Sequence, residues 1–539
     1  MRYTQPLIQN DFYKQGHYRM YPKGTTKVYS NLTARKSRVE GVNTVVVFGL
    51  QYFIKEYLMH QWRVNFFDKP FSEVETAYLR MINATLGPGA VTTDHIKQLH
   101  DLGYLPLRIK SLPEGSSCAI RVPCMTITNT VDHAYWLVNF LESIWSCTTW
   151  QPITSATIAK EFRKMLNKYA MDTVGETSFV QWQGHDFSFR GMSSMESARI
   201  SGAAHLLSFT GTDTIPAIEF LEQYYNADVT KELVGASVPA SEHAVASFNI
   251  IFGPEKYAEA LQEFVERTPV GWTPVNELTL DPKLVKEYAF LKWYITEGFP
   301  KGIVSYVGDT YNLFSVVAEI LPRLKPEIMA RTGGFPIDRL VIRPDSFWTD
   351  PIDCLCGYEG YHPQMQKLTD REKRVVRKGL IEALWDIFGG TVSQKGFKLL
   401  DSHIGAIYGD SITKERGEKI CIRLKLKGFA STNSVYGIGS YTYQYNTRDT
   451  FGLAIKATYG IVNGQPIEVY KDPVSDDGMK KSAKGLVRVD KDPTGGYTYT
   501  DCVTPEEEMR GELQTVFLDG KLLVNDSLAQ IRERLAADM

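Results

Sequence analysis

The sequence predicts an α/β protein: a β/α barrel beside a mixed α+β domain formed by both chain ends. Three observations lead there. From about residue 180 to 450, short apolar runs end in polar residues, and helical spacing usually follows, as when strands and helices alternate. The run ends carry Asp186 with Arg190, then Asp213, Glu242 with His243, Asp309, Arg343 with Asp345, Asp410, and Gly437 to Ser440. A β/α barrel holds its chemistry where strands give way to loops, at the C-terminal face. Any one such Asp is as readily a helix N-cap; their succession argues for the barrel. Outside this stretch the pattern reverts to mixed strands, helices and hairpins.

Taken in order, residues 1–150 mix strands and helices. Val45-Val46-Val47-Phe48 reads as a short buried strand, and Leu50, Phe53, Ile54, Tyr57 and Leu58 follow helical spacing. Residues 132–172 predict two long helices broken near Gln151-Pro152. The barrel is expected over 151–449, with insertions of little chemistry near 266–302 and 350–372. The second, with Pro351, Gly357, Gly360 and Pro363, predicts an irregular surface loop. Residues 450–539 return to the first domain. Asp519-Gly520 predicts a tight turn between Val516-Phe517 and Leu522-Leu523. Ser527 is placed to cap a final helix through Leu528, Ile531 and Leu535.

Bulk properties narrow the function classes. The 539 residues are 43% hydrophobic and 23% charged, an ordinary globular composition with enough chain for a large core. A net charge of −2 gives no electrostatic argument for nucleic acid or an anionic membrane. The seven cysteines are scattered, and Cys354 and Cys356 are too close for a CxxC metal knuckle. Reduced thiols and a cytosolic location are expected. Met1 to Pro6 lacks an apolar signal core, and no run approaches the roughly 18 apolar residues of a membrane span.

A set of short segments carries a more specific message. They are Asp11-Phe12-Tyr13-Lys14 with His17-Tyr18, His185 to Gly191, Phe209 to Thr214, and Ser237 to His243. Asp309-Thr310-Tyr311, Ile342 to Ser346, Gly409-Asp410, Thr447-Arg448-Asp449 and Lys471-Asp472-Pro473-Val474 follow. In this order they resemble the nicotinamide phosphoribosyltransferase family, of the type II phosphoribosyltransferase fold, over nearly the whole chain. The resemblance implies a homodimer with shared active sites that binds only small molecules. The implied reaction joins nicotinamide to 5-phosphoribosyl-1-pyrophosphate (PRPP), giving nicotinamide mononucleotide (NMN) and pyrophosphate for NAD salvage. ATP enters as a coupled substrate, and Mg2+ accompanies the pyrophosphate and ATP with no assigned protein ligands.

The chemistry accounts for the residue types. Displacing pyrophosphate from the anomeric carbon develops oxocarbenium character, while the pyridine nitrogen already has a free lone pair. The work is therefore positioning and electrostatics. The resemblance implies that Phe187 stacks on one face of the pyridine and Tyr13 of the partner subunit on the other. Asp213 would accept the carboxamide NH2 and Arg343 would donate to its oxygen. A carboxylate at Asp213 disfavours nicotinic acid, which is negatively charged and lacks that donor. Asp345, Gly409 and Asp410 would bind the ribose hydroxyls. Arg190, Gly439, Ser440 and, from the second subunit, Arg448 and Lys456 would hold the 5′-phosphate. His243 would be phosphorylated by ATP, with Glu242 or Asp309 orienting it.

The chain departs from the family pattern at Phe347, where glycine is usual, and at Gly439-Ser440-Tyr441, where three glycines are usual. Bulkier loops near the phosphate are expected. It is also longer between His243 and Asp309. Two alternatives share the fold: a nicotinate phosphoribosyltransferase, which Asp213 argues against, and a silent NMN-binding protein, which would be expected to lose His243, Arg343 or Asp345.

Overall fold

The computed structural model describes residues 5–273, 280–471 and 482–539. Asp472, Pro473 and Val474 of the last quoted motif lie outside them.

Two sheets organise the chain. A seven-stranded antiparallel sheet draws on both chain ends, in the order Gln465–Glu468, Leu453–Val462, Thr25–Ala34, Pro123–Asn129, Leu107–Ser111, Gln514–Leu518, Lys521–Leu522. Its register sets Lys456 opposite Asn31. The second sheet has six parallel strands, ordered Gly211–Thr212, Gly184–Asp186, Ser434–Ile438, Ile404–Tyr408, Arg339–Arg343, Ile303–Val307. Ile404–Tyr408 is buried throughout, as expected for a parallel strand covered on both faces. The segment 236–241 joins the two edge strands. Ala236 bridges to Gly211 and Ala240 to Ser305, both in parallel sense. The ring therefore closes, and all the strand-end residues singled out in the sequence lie at one end of it.

The small sequence signals hold. Asp519 and Gly520 take the left-handed turn (φ 47° and 79°) between Gln514–Leu518 and Lys521–Leu522. Ser527 caps Leu528–Ala536 with a capping box, and Leu528, Ile531 and Leu535 are buried. Thr44–Val46 is a strand, and helical turns begin at Leu50.

Two expectations are corrected, and a third stretch gains detail. Glu142–Thr173 is one helix of 32 residues that runs through Pro152. Proline forfeits one helical hydrogen bond, but here it is buried and packs on Gly49, where a Cβ would come within 2.4 Å of its ring. Burial of Trp145, Ile153, Ala156, Phe162 and Leu166 along the same helix outweighs the lost bond. The 350–372 stretch is not an irregular loop. Asp350 caps a helix Pro351–Cys356 whose Ile352, Cys354, Leu355 and Cys356 are buried, so Pro351 is a helix-starting proline. Within 266–302, the Asp281-capped helix Pro282–Trp293 buries Val285, Tyr288 and Leu291. Tyr294, just after it, donates towards the carbonyl oxygens of Pro239 and Ser305 at 3.1 and 3.2 Å, across the seam that closes the ring. No helix among the described residues is long and apolar enough to cross a membrane. All seven cysteines are free.

Candidate active site

The strand Gly184–Asp186 delivers Phe187 to the end of the ring. The Phe187 ring lies on the ends of two neighbouring strands, where Gly409 and Gly437 bear no side chain. His185 meets it edge-on, with ring centroids 5.0 Å apart. His185 Nε2 also lies 2.9 Å from Asp213 Oδ1, and the Ser237 hydroxyl donates to the same oxygen at 2.6 Å. Burial raises the Asp213 carboxyl, but the His185 and Ser237 hydrogen bonds and the nearby Arg343 charge outweigh it and hold the group below its usual range. Asp213 Oδ2 accepts no hydrogen bond among the described residues. Arg343 is aimed by one bond, Nη2 to the Ser241 carbonyl oxygen at 2.8 Å. Its buried Nε has no partner, and it forms no ion pair with Asp345 among the described residues.

A carboxylate group stands at the next strand ends. Asp309 Oδ2 accepts from the Asp345 amide at 2.9 Å and from the Ser346 hydroxyl at 2.6 Å, while Oδ1 is buried without a hydrogen-bond partner, its near charge being His243 Nε2. His243 begins the helix His243–Phe252. Its Nδ1 lies 3.2 Å from the Thr310 hydroxyl, and its Nε2 lies 3.7 Å from Asp309 and 3.8 Å from Asp345. Asp309 is nearly buried at 7% exposed, whereas Asp345 is open at 44%. Asp410 belongs to the same group. Burial raises the Tyr408 phenol most, and Asp410, Asp309 and Asp345 all lie close enough to raise it further. Glu242 is exposed; its carbonyl oxygen accepts from the Ala246 amide at 2.9 Å, and its side chain makes no hydrogen bond or ion pair among the described residues.

Ser440 and Gly439 form a turn beside the loop of Arg190. A Cβ on Gly191 would fall 1.9 Å from the Ser440 hydroxyl oxygen, so the two loops touch. Arg190 is exposed. The expected extra bulk at Phe347 is folded aside: its ring packs near Phe314, Trp348 and Tyr358.

Tyr13, Arg448 and Lys456 form a second group. Tyr13 is 63% exposed. Burial, Asp11 and Glu142 raise its phenol, and the nearby Arg448 charge opposes them. Lys456 lies 3.8 Å from Glu142, which Lys14 also engages at 2.8 Å. Burial lowers the Lys456 ammonium, as do the like charges of Arg35, Lys471 and Lys14, while Glu142 raises it. No hydrogen bond, ion pair or ring contact joins this group to Phe187 or Asp213 among the described residues.

Sequence reasoning did not assign the residues that aim these groups: His185 and Ser237 on Asp213, Ser241 on Arg343, and Thr310 on His243. All four lie inside the quoted motifs, but 24 to 102 positions along the chain from the residues they hold. Their roles became visible only once strands distant in sequence were brought side by side.

A profile of the nicotinate phosphoribosyltransferase family matches residues 182–521, and one of the nicotinamide phosphoribosyltransferase N-terminal domain matches residues 5–65. A protein of Acinetobacter baylyi named nicotinamide phosphoribosyltransferase is 43% identical over 99% of this chain and 97% of its own. The chain belongs to the nicotinamide phosphoribosyltransferase branch of that family. A Mycoplasma pneumoniae protein of the same name is 32% identical over 87% of this chain and 92% of its own. The fold is shared more widely. The structure of human nicotinic acid phosphoribosyltransferase superposes with a TM-score of 0.55 at 14% identity, covering 98% of this chain and 93% of that one. Nicotinate-nucleotide pyrophosphorylase from Pyrococcus furiosus gives 0.53 at 14% identity, covering 100% and 98%.

Proposed function

We propose that the chain forms NMN and pyrophosphate from nicotinamide and PRPP, as a step of NAD salvage. The observation that carries the reading is Asp213. Its carboxylate is fixed through Oδ1 by His185 and Ser237, and Oδ2 is left to accept a hydrogen bond. A neutral carboxamide supplies the N–H that such an acceptor needs; nicotinic acid brings a second negative charge instead. Arg343, with its unpartnered Nε, is the matching donor for the carboxamide oxygen. Phe187 supplies the stacking surface. The pyridine nitrogen attacks the anomeric carbon with its own lone pair, and pyrophosphate departs with the electrons of the broken C–O bond. The carboxylates of Asp345 and Asp410 bind the ribose hydroxyls and face the developing cationic charge.

Asp309 and Asp345 are the residues suited to Mg2+. No set of three or more His, Cys, Asp or Glu among the described residues forms a metal cage, but Asp309 Oδ1, buried and without a hydrogen-bond donor, fits an ion held mainly by phosphate oxygens. When bound, Mg2+ would neutralise charge on the pyrophosphate. His243 is the phosphate relay. Its Nδ1 is occupied by Thr310, leaving Nε2 to form the P–N bond with the γ-phosphorus of ATP as the P–O bond to ADP breaks. Water later takes the phosphoryl group and releases inorganic phosphate.

The second group acts across a homodimer, with Tyr13 closing the other face of the pyridine and Arg448 and Lys456 meeting the 5′-phosphate beside Arg190 and Ser440. The exposure of Tyr13, and the absence among the described residues of any hydrogen bond, ion pair or ring contact between the two groups, support this. Seven free thiols support a reducing, cytosolic compartment. The test is a product assay with nicotinamide and nicotinic acid supplied separately. NMN from nicotinamide alone is expected; equal or preferred use of nicotinic acid would replace this reading by the nicotinate enzyme, and binding of NMN without synthesis would replace it by a silent binding protein.

A further inference from the structure

The elements that carry Asp213 and Ser440 are far apart in sequence, and one buried side chain joins them. His205 ends the helix Met195–His205 and is fully buried. Its Nε2 lies 3.1 Å from the Gly211 carbonyl oxygen, and its Nδ1 lies 2.7 Å from the Tyr443 hydroxyl. A carbonyl oxygen can only accept, so Nε2 carries the proton and Nδ1 accepts from Tyr443. Burial holds the imidazole down to about 4, against the opposing pull of buried Asp186, so this neutral tautomer persists at neutral pH. The ring also stacks on Phe209, with centroids 5.0 Å apart and planes 23° apart, which fixes its orientation.

Both ends of this bridge reach the site. Gly211 pairs in register with His185, Thr212 pairs with Asp186, and the chain then runs directly into Asp213. The Asp213 amide donates to the Asp186 carbonyl oxygen at 3.0 Å. Tyr443 closes the turn Ser440–Tyr443, whose first residue touches Gly191 next to Arg190.

We propose that His205 is a positioning residue that locks the nicotinamide end of the site, through Gly211 and Asp213, to its phosphate end, through Tyr443 and Ser440. The inference rests on the assignment of those ends made above. It makes no contact with the reacting atoms; it sets the spacing between the two groups that hold them.

Two conservative substitutions separate the two hydrogen bonds. A glutamine amide reaches the Nε2 side of an imidazole, and an asparagine amide matches its Nδ1 side. His205→Gln keeps a donor for Gly211 and loses the acceptor for Tyr443. It should raise the PRPP KM about tenfold, the scale of one lost buried hydrogen bond, and leave the nicotinamide KM within about twofold. His205→Asn should show the reverse. Tyr443→Phe, a gentler change, should reproduce the glutamine pattern, and adding it to His205→Gln should cost nothing further. Calorimetric titration of nicotinamide and of PRPP reads the same split without turnover, so it stands even if the wild type makes no NMN and the activity assignment fails. Equal weakening of both substrates in every variant, or a lowered Tm with both affinities unchanged, would reduce His205 to a structural residue and overturn the proposal.

Discussion

Phe187 occupies the space that a side chain at Gly437 would need: a Cβ there would fall 2.3 Å from the ring, and one at Gly409 would fall 3.1 Å from it. The stacking surface is thus built by two strand ends that lack side chains. Gly437→Ala should tilt or expel the ring. The nicotinamide KM should rise by about tenfold or more, the scale of a displaced aromatic contact together with local strain, while the PRPP KM changes less. Steady-state kinetics with each substrate varied would check this; an unchanged nicotinamide KM in a folded Gly437→Ala protein would mean that Phe187 is not the stacking residue.

Substrate choice should follow the charge on Asp213. That carboxyl is held below its usual range, so it stays ionised throughout the neutral region. Asp213→Asn removes the charge but keeps a carbonyl acceptor. It should weaken nicotinamide use by about tenfold, typical of losing a charge-assisted hydrogen bond, and narrow the gap to nicotinic acid. The ratio of kcat/KM for the two bases is the measurement. A ratio unmoved by the substitution would remove Asp213 as the discriminating group.

Much of this architecture was legible in the sequence, and the rest was not, for physical reasons. Strand ends are local: an apolar run followed by Asp, Arg or His names itself, and so Asp186, Asp213, Asp309, Arg343 and Asp410 were found at the right end of the barrel. The turn at Asp519-Gly520 and the Ser527 cap are likewise encoded within a few residues. Proline misled in both directions. Pro152 read as a break because its cost is local, while the compensating contact with Gly49 is tertiary. Pro351 read as a loop, although after Asp350 it starts a helix. The groups that aim the site, such as Ser237 on Asp213, depend on which strands lie together, and no run of adjacent residues records that.

A shared site makes a complementation prediction. Tyr13 stands 63% exposed in a group apart from Phe187, as a residue serving another subunit would. Tyr13→Ala and Phe187→Ala should each be nearly inactive as homodimers. Mixed and allowed to exchange, they should recover activity, because one of the two sites in each hybrid contains both wild-type residues. Exchange is verified by native mass spectrometry. Failure to recover activity after confirmed exchange would place both residues in one subunit's site.

His243 should separate phosphate relay from glycosyl transfer. The transfer needs no base, so His243→Ala should still make NMN slowly without ATP. It should lose ATP hydrolysis and acid-labile phosphate on the protein, and with them the ability to drive synthesis past the uncoupled equilibrium. NMN yield and ATP consumption are followed together. A His243→Ala protein that still consumes ATP in step with NMN formation would assign the relay elsewhere.

The last prediction concerns the helix that the sequence read as an insertion of little chemistry. Glu287 on Pro282–Trp293 is 3% exposed, and its Oε1 accepts from the Tyr306 hydroxyl at 2.8 Å. Burial pushes its carboxyl up to about 7, with help from Asp281 and Asp309 and against the Tyr306 hydrogen bond. Unfolded, the same group titrates near about 4.3. The folded protein therefore keeps a proton that the unfolded chain releases in this interval. The favourable term is fully present below the unfolded pKa and is lost as pH rises through about 7. Its full size is a few kcal/mol, at about 1.4 kcal/mol per pH unit. Glu287→Gln keeps a carbonyl acceptor for Tyr306 and cannot ionise. Wild type should thus lose stability relative to Glu287→Gln between about pH 4 and about pH 7, and the two should converge towards the acid end of that range. Thermal denaturation at several pH values, with each protein compared against itself, measures the slope. A difference between the two proteins that stays constant with pH would show that Glu287 ionises in the folded protein as it does in the unfolded chain, so that Tyr306, two residues before Gly308, is held by a carboxylate across this window.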